Sequence, residues 1–154
     1  MYGVEGGDVL ARIEKSIEIK APAKKVWQLL FWDRIPEWMD ILERAEYTSE
    51  KRAGVGATAH VIGEAAGIKA EWDVEVTEYV ENEKAIWRST AGNVTALGTT
   101  TLKPTKAGTE ITLVMDYELP YSILGKIIDK LMVGKEMEKD FERALEKLKN
   151  ILEK

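Results

Sequence analysis

From about Ser122 to the C-terminus the apolar residues recur at helical spacing. Leu124, Ile128, Leu131, Met137, Phe141, Leu145, Leu148 and Leu152 form one stripe, widened by Ile127, Ala144 and Ile151. Lys and Glu fill the opposite face, the pattern of an amphipathic helix with one buried side. About 30 helical residues extend ~45 Å. A helix of that length with one wet face has to lie on an apolar surface of matching size. Gly134 interrupts the stripe and is the expected place for a bend.

The surface it needs is supplied upstream, where the period is two. Residues 11–20 set Ile13, Ile17 and Ile19 against Glu14, Glu18 and Lys20, with Lys15 the one step out of pattern. Pro22 then suits the first turn of a short helix carrying Val26, Trp27, Leu29 and Leu30. Asp33 is placed to cap a second one, with Pro36 in its first turn and Trp38, Met39, Ile41 and Leu42 along it. Six further strands are expected over 43–50, 56–64, 68–79, 84–91, 94–103 and 109–119, separated by Gly-, Asn- and Pro-containing turns. The clearest has Ala70, Trp72, Val74 and Val76 on one face and Lys69, Glu71, Asp73, Glu75 and Thr77 on the other. Such a split marks an antiparallel sheet with one wet side. The fold class is therefore α+β: a curved seven-stranded antiparallel sheet wrapped around a long C-terminal helix, with two short helices between strands 1 and 2. Residues 1–10 are expected as a flexible segment and 11–154 as one domain.

The totals exclude several function classes. There is no cysteine, so disulfides, thiolate metal sites and cysteine nucleophiles are absent. A single histidine, His60, leaves catalytic triads and histidine metal sites without partners. The net charge is −5 with both signs interspersed, so no basic stretch tracks a phosphate backbone and nucleic acid is not an expected partner. The first eight residues are glycine-rich and acidic, unlike a signal peptide, and no apolar run approaches the ~20 residues of a membrane span. A cytoplasmic protein, monomeric or a weak dimer, without cofactor or metal, is the expectation. The Glu- and Lys-rich, Cys-free composition also suits a thermophile.

A twisted sheet of seven strands curls, and a helix ~10 Å across does not fill the curl along its whole length. Large side chains or a ligand take the remaining space. The inward set mixes Trp72, Trp87, Met115 and Tyr117 with small Ala70, Ser89, Ala96 and Gly98, so apolar walls with polar edges stand beside room. Packed core is the alternative reading of the same aromatics.

Several segments together resemble the START-like, or SRPBCC, superfamily with its helix-grip fold. They are Ile17-Glu18-Ile19-Lys20-Ala21-Pro22-Ala23-Lys24-Lys25-Val26-Trp27, Ile35-Pro36-Glu37-Trp38, Gly54-Val55-Gly56, Val76-Thr77-Glu78-Tyr79, Gly108-Thr109-Glu110-Ile111-Thr112, and Leu119-Pro120 followed by Leu124-Gly125. The likeness is greatest to the polyketide cyclase/dehydrase and coenzyme Q-binding protein branches. It implies a cavity between sheet and long helix that holds a lipid, sterol, quinone, polyketide or plant hormone. It transfers no catalytic residue.

The expected ligand-binding residues are Trp38, His60, Trp72, Trp87, Met115, Tyr117, Leu124 and Ile128. His60 serves as a proton carrier or ligand contact if its strand turns Thr58 and Ile62 inward, and is a surface residue otherwise. Asp73 and Asp116 read as solvated, and Arg34 and Arg88 as conceivable anion contacts, with Arg88 on the solvent side. Glu64 is a third conceivable acid. Trp32 and Trp38 stand as cavity wall or buried anchors. The turns at Ala65-Ala66-Gly67 and Gly92-Asn93 and the segment near Tyr121-Ser122 are expected to surround the opening. The leading function is a binding or carrier protein for an apolar molecule. The alternatives are a cyclase, aromatase or dehydratase using the same cavity, and an interaction module with a filled core.

Overall fold

A computed structural model describes residues 9–65, 67–119 and 130–154. Seven strands form one antiparallel sheet: β1 (Val9–Ile19), β2 (Leu42–Tyr47), β3 (Thr58–Ala65), β4 (Ile68–Val80), β5 (Lys84–Gly92), β6 (Thr95–Pro104) and β7 (Thr109–Leu119). Their order across the sheet is β1-β7-β6-β5-β4-β3-β2. Each hairpin pairs neighbours in sequence, and only β1 crosses over to the end of β7. The crossover carries α1 (Ala23–Gln28) and a 3-10 helix (Trp32–Glu37), and the chain closes with α2 (Lys130–Leu152). This is the helix-grip arrangement anticipated from the two periodicities.

The inner sheet face and α2 share one core. Ile13, Ile19, Val61, Val74 and Ile111 are buried on the sheet side, and Phe141, Ala144, Leu145 and Leu148 on the helix side. Burying each large apolar side chain contributes roughly 1.5–3 kcal/mol, so the stripe alone commits α2 to this face. Lys15, out of step with its strand, meets Glu142 of α2 at 3.6 Å. Near the helix end the Lys20 N–H donates to Glu153 (2.8 Å), and Lys147 pairs with Asp40 (2.7 Å). These exposed contacts are screened by water and set position more than strength. The helix passes through Gly134 without interruption of its hydrogen bonding. Residues 120–129, including the expected first turns of the helix, lie outside the described residues.

Two local expectations change. Asp33 does not cap a helix: the 3-10 segment starts after extended Phe31 with no side-chain cap, and Asp33 is taken by Arg52. Trp38 and Met39 follow that segment, and the Trp38 indole N–H donates to the Leu29 carbonyl (2.8 Å), tying the two short elements together. Glu118 is buried at the end of β7.

Irregularities curl the sheet. One extra residue of β4 falls between Val76 and Glu78 and one of β5 between Ser89 and Ala91, each a bulge that bends its strand. At the end of β5, Gly92 has φ +106°, and a Cβ there would lie 2.2 Å from the Glu71 carbonyl oxygen. Asn93 then clamps the turn to β4, its amide accepting from the Glu71 N–H (2.9 Å) and donating to the Lys69 carbonyl (3.1 Å). Gly92→Ala is expected to destabilise the fold by about 2 kcal/mol or more, because neither the backbone angle nor the neighbouring backbone has room to give. Urea unfolding of both proteins measures this, and an unchanged midpoint would contradict it.

Candidate functional site

Between the inner sheet face, the two short helical elements and α2 lies a cavity of about 210 Å³. A dry apolar cavity of ~150 Å³ is known to take a benzene, so this one has room for a molecule somewhat larger than a single ring. Its wall is mostly aromatic and aliphatic, and α2 contributes Val133, Met137 and Phe141.

Of the residues expected at a ligand site, Trp38, Trp72, Trp87, Met115 and Tyr117 all line this space. Leu124 and Ile128 lie outside the described residues. His60 does not line it. On β3 the buried positions are Ala59, Val61 and Gly63, so Thr58, His60 and Ile62 face the outer side of the sheet. There His60 lies between Asp73 on Nδ1 (2.6 Å) and Glu71 on Nε2 (2.6 Å). His60 thus takes its alternative place, that of a surface residue. Arg88 pairs with Glu75 (2.9 Å) and Asp116 with Arg12 (2.7 Å), both away from the cavity, and Arg34 pairs with Glu37. Glu64 reaches the wall but is exposed.

The small inward residues behave differently from one another. Ala70 borders open space. Gly98 borders it beneath Trp87: a Cβ there would lie 2.2 Å from the Trp87 indole nitrogen, so the missing side chain makes room for the ring. Trp32 holds that ring edge-on from the other side, with centroids 5.3 Å apart at 76°. Trp32 is therefore wall and Trp38 is both wall and anchor. Ser89 accepts from the Ala96 N–H (2.9 Å) and closes the β5–β6 turn.

Three residues that the sequence did not single out as site residues matter here. Strict alternation sends Tyr79 outward, but the bulge after Val76 reverses the parity and turns it inward. Its hydroxyl accepts from the Trp27 indole N–H (3.1 Å), and the rings meet edge to face. Tyr47 accepts from the Trp32 backbone N–H (3.0 Å). Arg52, in the β2–β3 loop, lies 4.8 Å from the Tyr47 ring centre and 5.7 Å from that of Phe31. Its guanidinium is held by both oxygens of Asp33 at 2.5 and 2.9 Å. No periodicity marks a loop arginine. Met137 and Phe141, by contrast, were legible as members of the helix stripe.

The polar atoms of the wall are few. The Trp72 indole N–H is buried with no partner among the described residues, an arrangement that costs roughly 1–3 kcal/mol when left unmet. Burial pushes the Tyr117 phenol above its usual pKa, and the negative charge of Glu138 adds to this, so the hydroxyl stays protonated. Among the described residues no cluster of acidic and histidine side chains is arranged to hold a metal ion. No described helix is long and apolar enough to cross a membrane.

Residues 11–153 match the family described as polyketide cyclase / dehydrase and lipid transport. The chain belongs to that family. It lies within the START-like superfamily. An uncharacterised 17.2 kDa protein of the melC2-rnhH intergenic region of Streptomyces lincolnensis is 27% identical over 137 residues, 87% of each chain. The crystal structure of TTHA0849 from Thermus thermophilus superposes with a TM-score of 0.77 at 23% identity, covering 91% of this chain and 95% of that one. The ZhuI aromatase/cyclase from Streptomyces sp. R1128 superposes at 0.74 with 15% identity and 94% of both chains. At these identities the solved structures establish the fold alone.

Outside the cavity, the two carboxylates on His60 raise its pKa, Asp73 contributing most and Glu71 next. A histidine whose folded pKa lies above its unfolded value stabilises the fold below about pH 6.5, and that contribution is lost as pH rises through the folded value. A ring-proton NMR titration is expected to give a midpoint above about 6.5, and His60→Gln to remove the matching fall in melting temperature. A midpoint at or below that ordinary value would refute the assignment.

Proposed function

We propose that this protein binds and carries an apolar, ring-containing small molecule in the cavity between sheet and C-terminal helix, and that it does so in the cytoplasm. The observation that carries this is the cavity itself: about 210 Å³ bounded by indole, phenol, phenyl and thioether surfaces, within a family that includes lipid transport. A filled core, which an interaction module would have required, is not what the inner face offers. The carboxylates along the described wall are exposed Glu64 near the end of β3 and buried Glu118 near the end of β7.

A cyclase or dehydratase is the second reading. It is favoured by one feature, the protonated Tyr117 phenol on the wall, a proton donor suited to a substrate carbonyl.

Nile red, a neutral polarity-sensitive dye, is expected to brighten and shift to the blue on mixing with the protein. Native mass spectrometry of freshly purified material is expected to show a retained small molecule. Ala70→Trp, which places an indole in the open part of the cavity, is expected to weaken dye binding about tenfold or more while the fold persists by circular dichroism. A dye that binds Ala70→Trp as well as the parent protein, or binds neither, would overturn the carrier reading.

A further inference from the structure

The hydrogen-bonding ledger of the cavity wall is one-sided. Tyr47 and Tyr79 each accept from a protein N–H, of Trp32 and of Trp27, and a hydroxyl used as acceptor still has its own proton to donate. Tyr117 makes no hydrogen bond among the described residues, although it is only 5% exposed. At Gly134 of α2 an added Cβ would remain 4.0 Å from its hydroxyl. The Trp72 N–H is likewise unmet among the described residues. Four wall side chains therefore offer protons without described protein acceptors.

Few acceptors on the described wall are free to balance them: buried Glu118 is already engaged, and the hydroxyls of Thr99 and Thr100 donate as well as accept. Asn93 spends its amide on the Glu71 N–H and the Lys69 carbonyl, and the Leu29 carbonyl is taken by Trp38. Glu64 is exposed. Charge is balanced in a different way. Arg52 is the cationic side chain among the described wall residues, and both of its terminal nitrogens are already committed to Asp33. An anion entering the cavity would find no unpaired cation among those residues and would lose its hydration.

We infer that the cavity selects a neutral hydrogen-bond acceptor: an apolar ring molecule carrying a ketone, quinone or ester oxygen, in preference to the matching hydrocarbon or carboxylate. This deepens the binding function proposed above and rests on it. The phenols and the Trp72 indole are the specificity-determining donors, and the gap over Gly134 leaves the Tyr117 hydroxyl accessible to the ligand oxygen.

Displacement of Nile red by three probes of one shape tests the inference: acetonaphthone, ethylnaphthalene and naphthoate. Acetonaphthone is expected to compete at concentrations about tenfold or more below those of the other two, the sum of one or two net hydrogen bonds. In Tyr117→Phe, or in Tyr79→Phe, the ratio of ketone to hydrocarbon affinity is expected to fall about threefold or more. Because a ratio is read, any general loosening of the cavity cancels. Equal affinity for ketone and hydrocarbon, tightest binding of naphthoate, or a ratio unchanged in both variants would overturn the inference while leaving cavity binding intact. Failure of the dye itself to bind would overturn the carrier function and this inference together.

Discussion

Everything in this molecule depends on the burial of one helix stripe in the concave face of one sheet. Phe141, Ala144, Leu145 and Leu148 are buried against strands that also bury Ile13, Ile19, Val61, Val74 and Ile111. Neither surface is stable alone, because each would present a continuous apolar area to water. The helix end is further registered by Lys147 on Asp40 and Glu153 on the Lys20 N–H. The contact is therefore closest toward the C-terminal half of α2. Toward its N-terminal half, Val133 and Met137 look onto the cavity.

The cavity follows from mismatch between a straight element and a curled one. Bulges in β4 and β5 increase the curl, and the straight helix fills only part of it. Trp87, seated over Gly98 and braced by Trp32, then lines the space without filling it. Several charged groups lie on the outer face: His60 with its two carboxylates, Arg88 with Glu75 and Arg12 with Asp116. The described cavity wall is mostly aromatic and aliphatic, with Arg52 paired to Asp33 and with Glu64 and Glu118 as its carboxylates.

Much of this was legible before any coordinates. Strand positions from Ala70 to Val76 and from Ile111 to Tyr117 read correctly because alternation directly records which side of a sheet is wet. Reading failed where something non-local intervened. Tyr79 was missed because a single bulge reverses parity. His60 was left undecided because its neighbours Thr58 and Ile62 are ambiguous in polarity, and only the burial of Ala59 and Val61 resolves the face. Asp33 has the local chemistry of a cap, but Arg52, 19 residues away, binds it more strongly than an orphan N–H would.

By itself the sequence determined the architecture: periods of two and of 3.6 in a definite order admit few arrangements that bury both apolar faces. It also determined the absence of thiol and multi-histidine chemistry, because composition cannot be altered by folding. The tertiary structure alone decided what the small residues make room for: Gly98 seats the Trp87 ring, and Ala70 lines the cavity. It alone decided that three phenols from three separate strands share one wall with protons to spare. Hydrogen-bond balance is a property of atoms brought within about 3 Å of one another, and sequence spacing does not encode that distance.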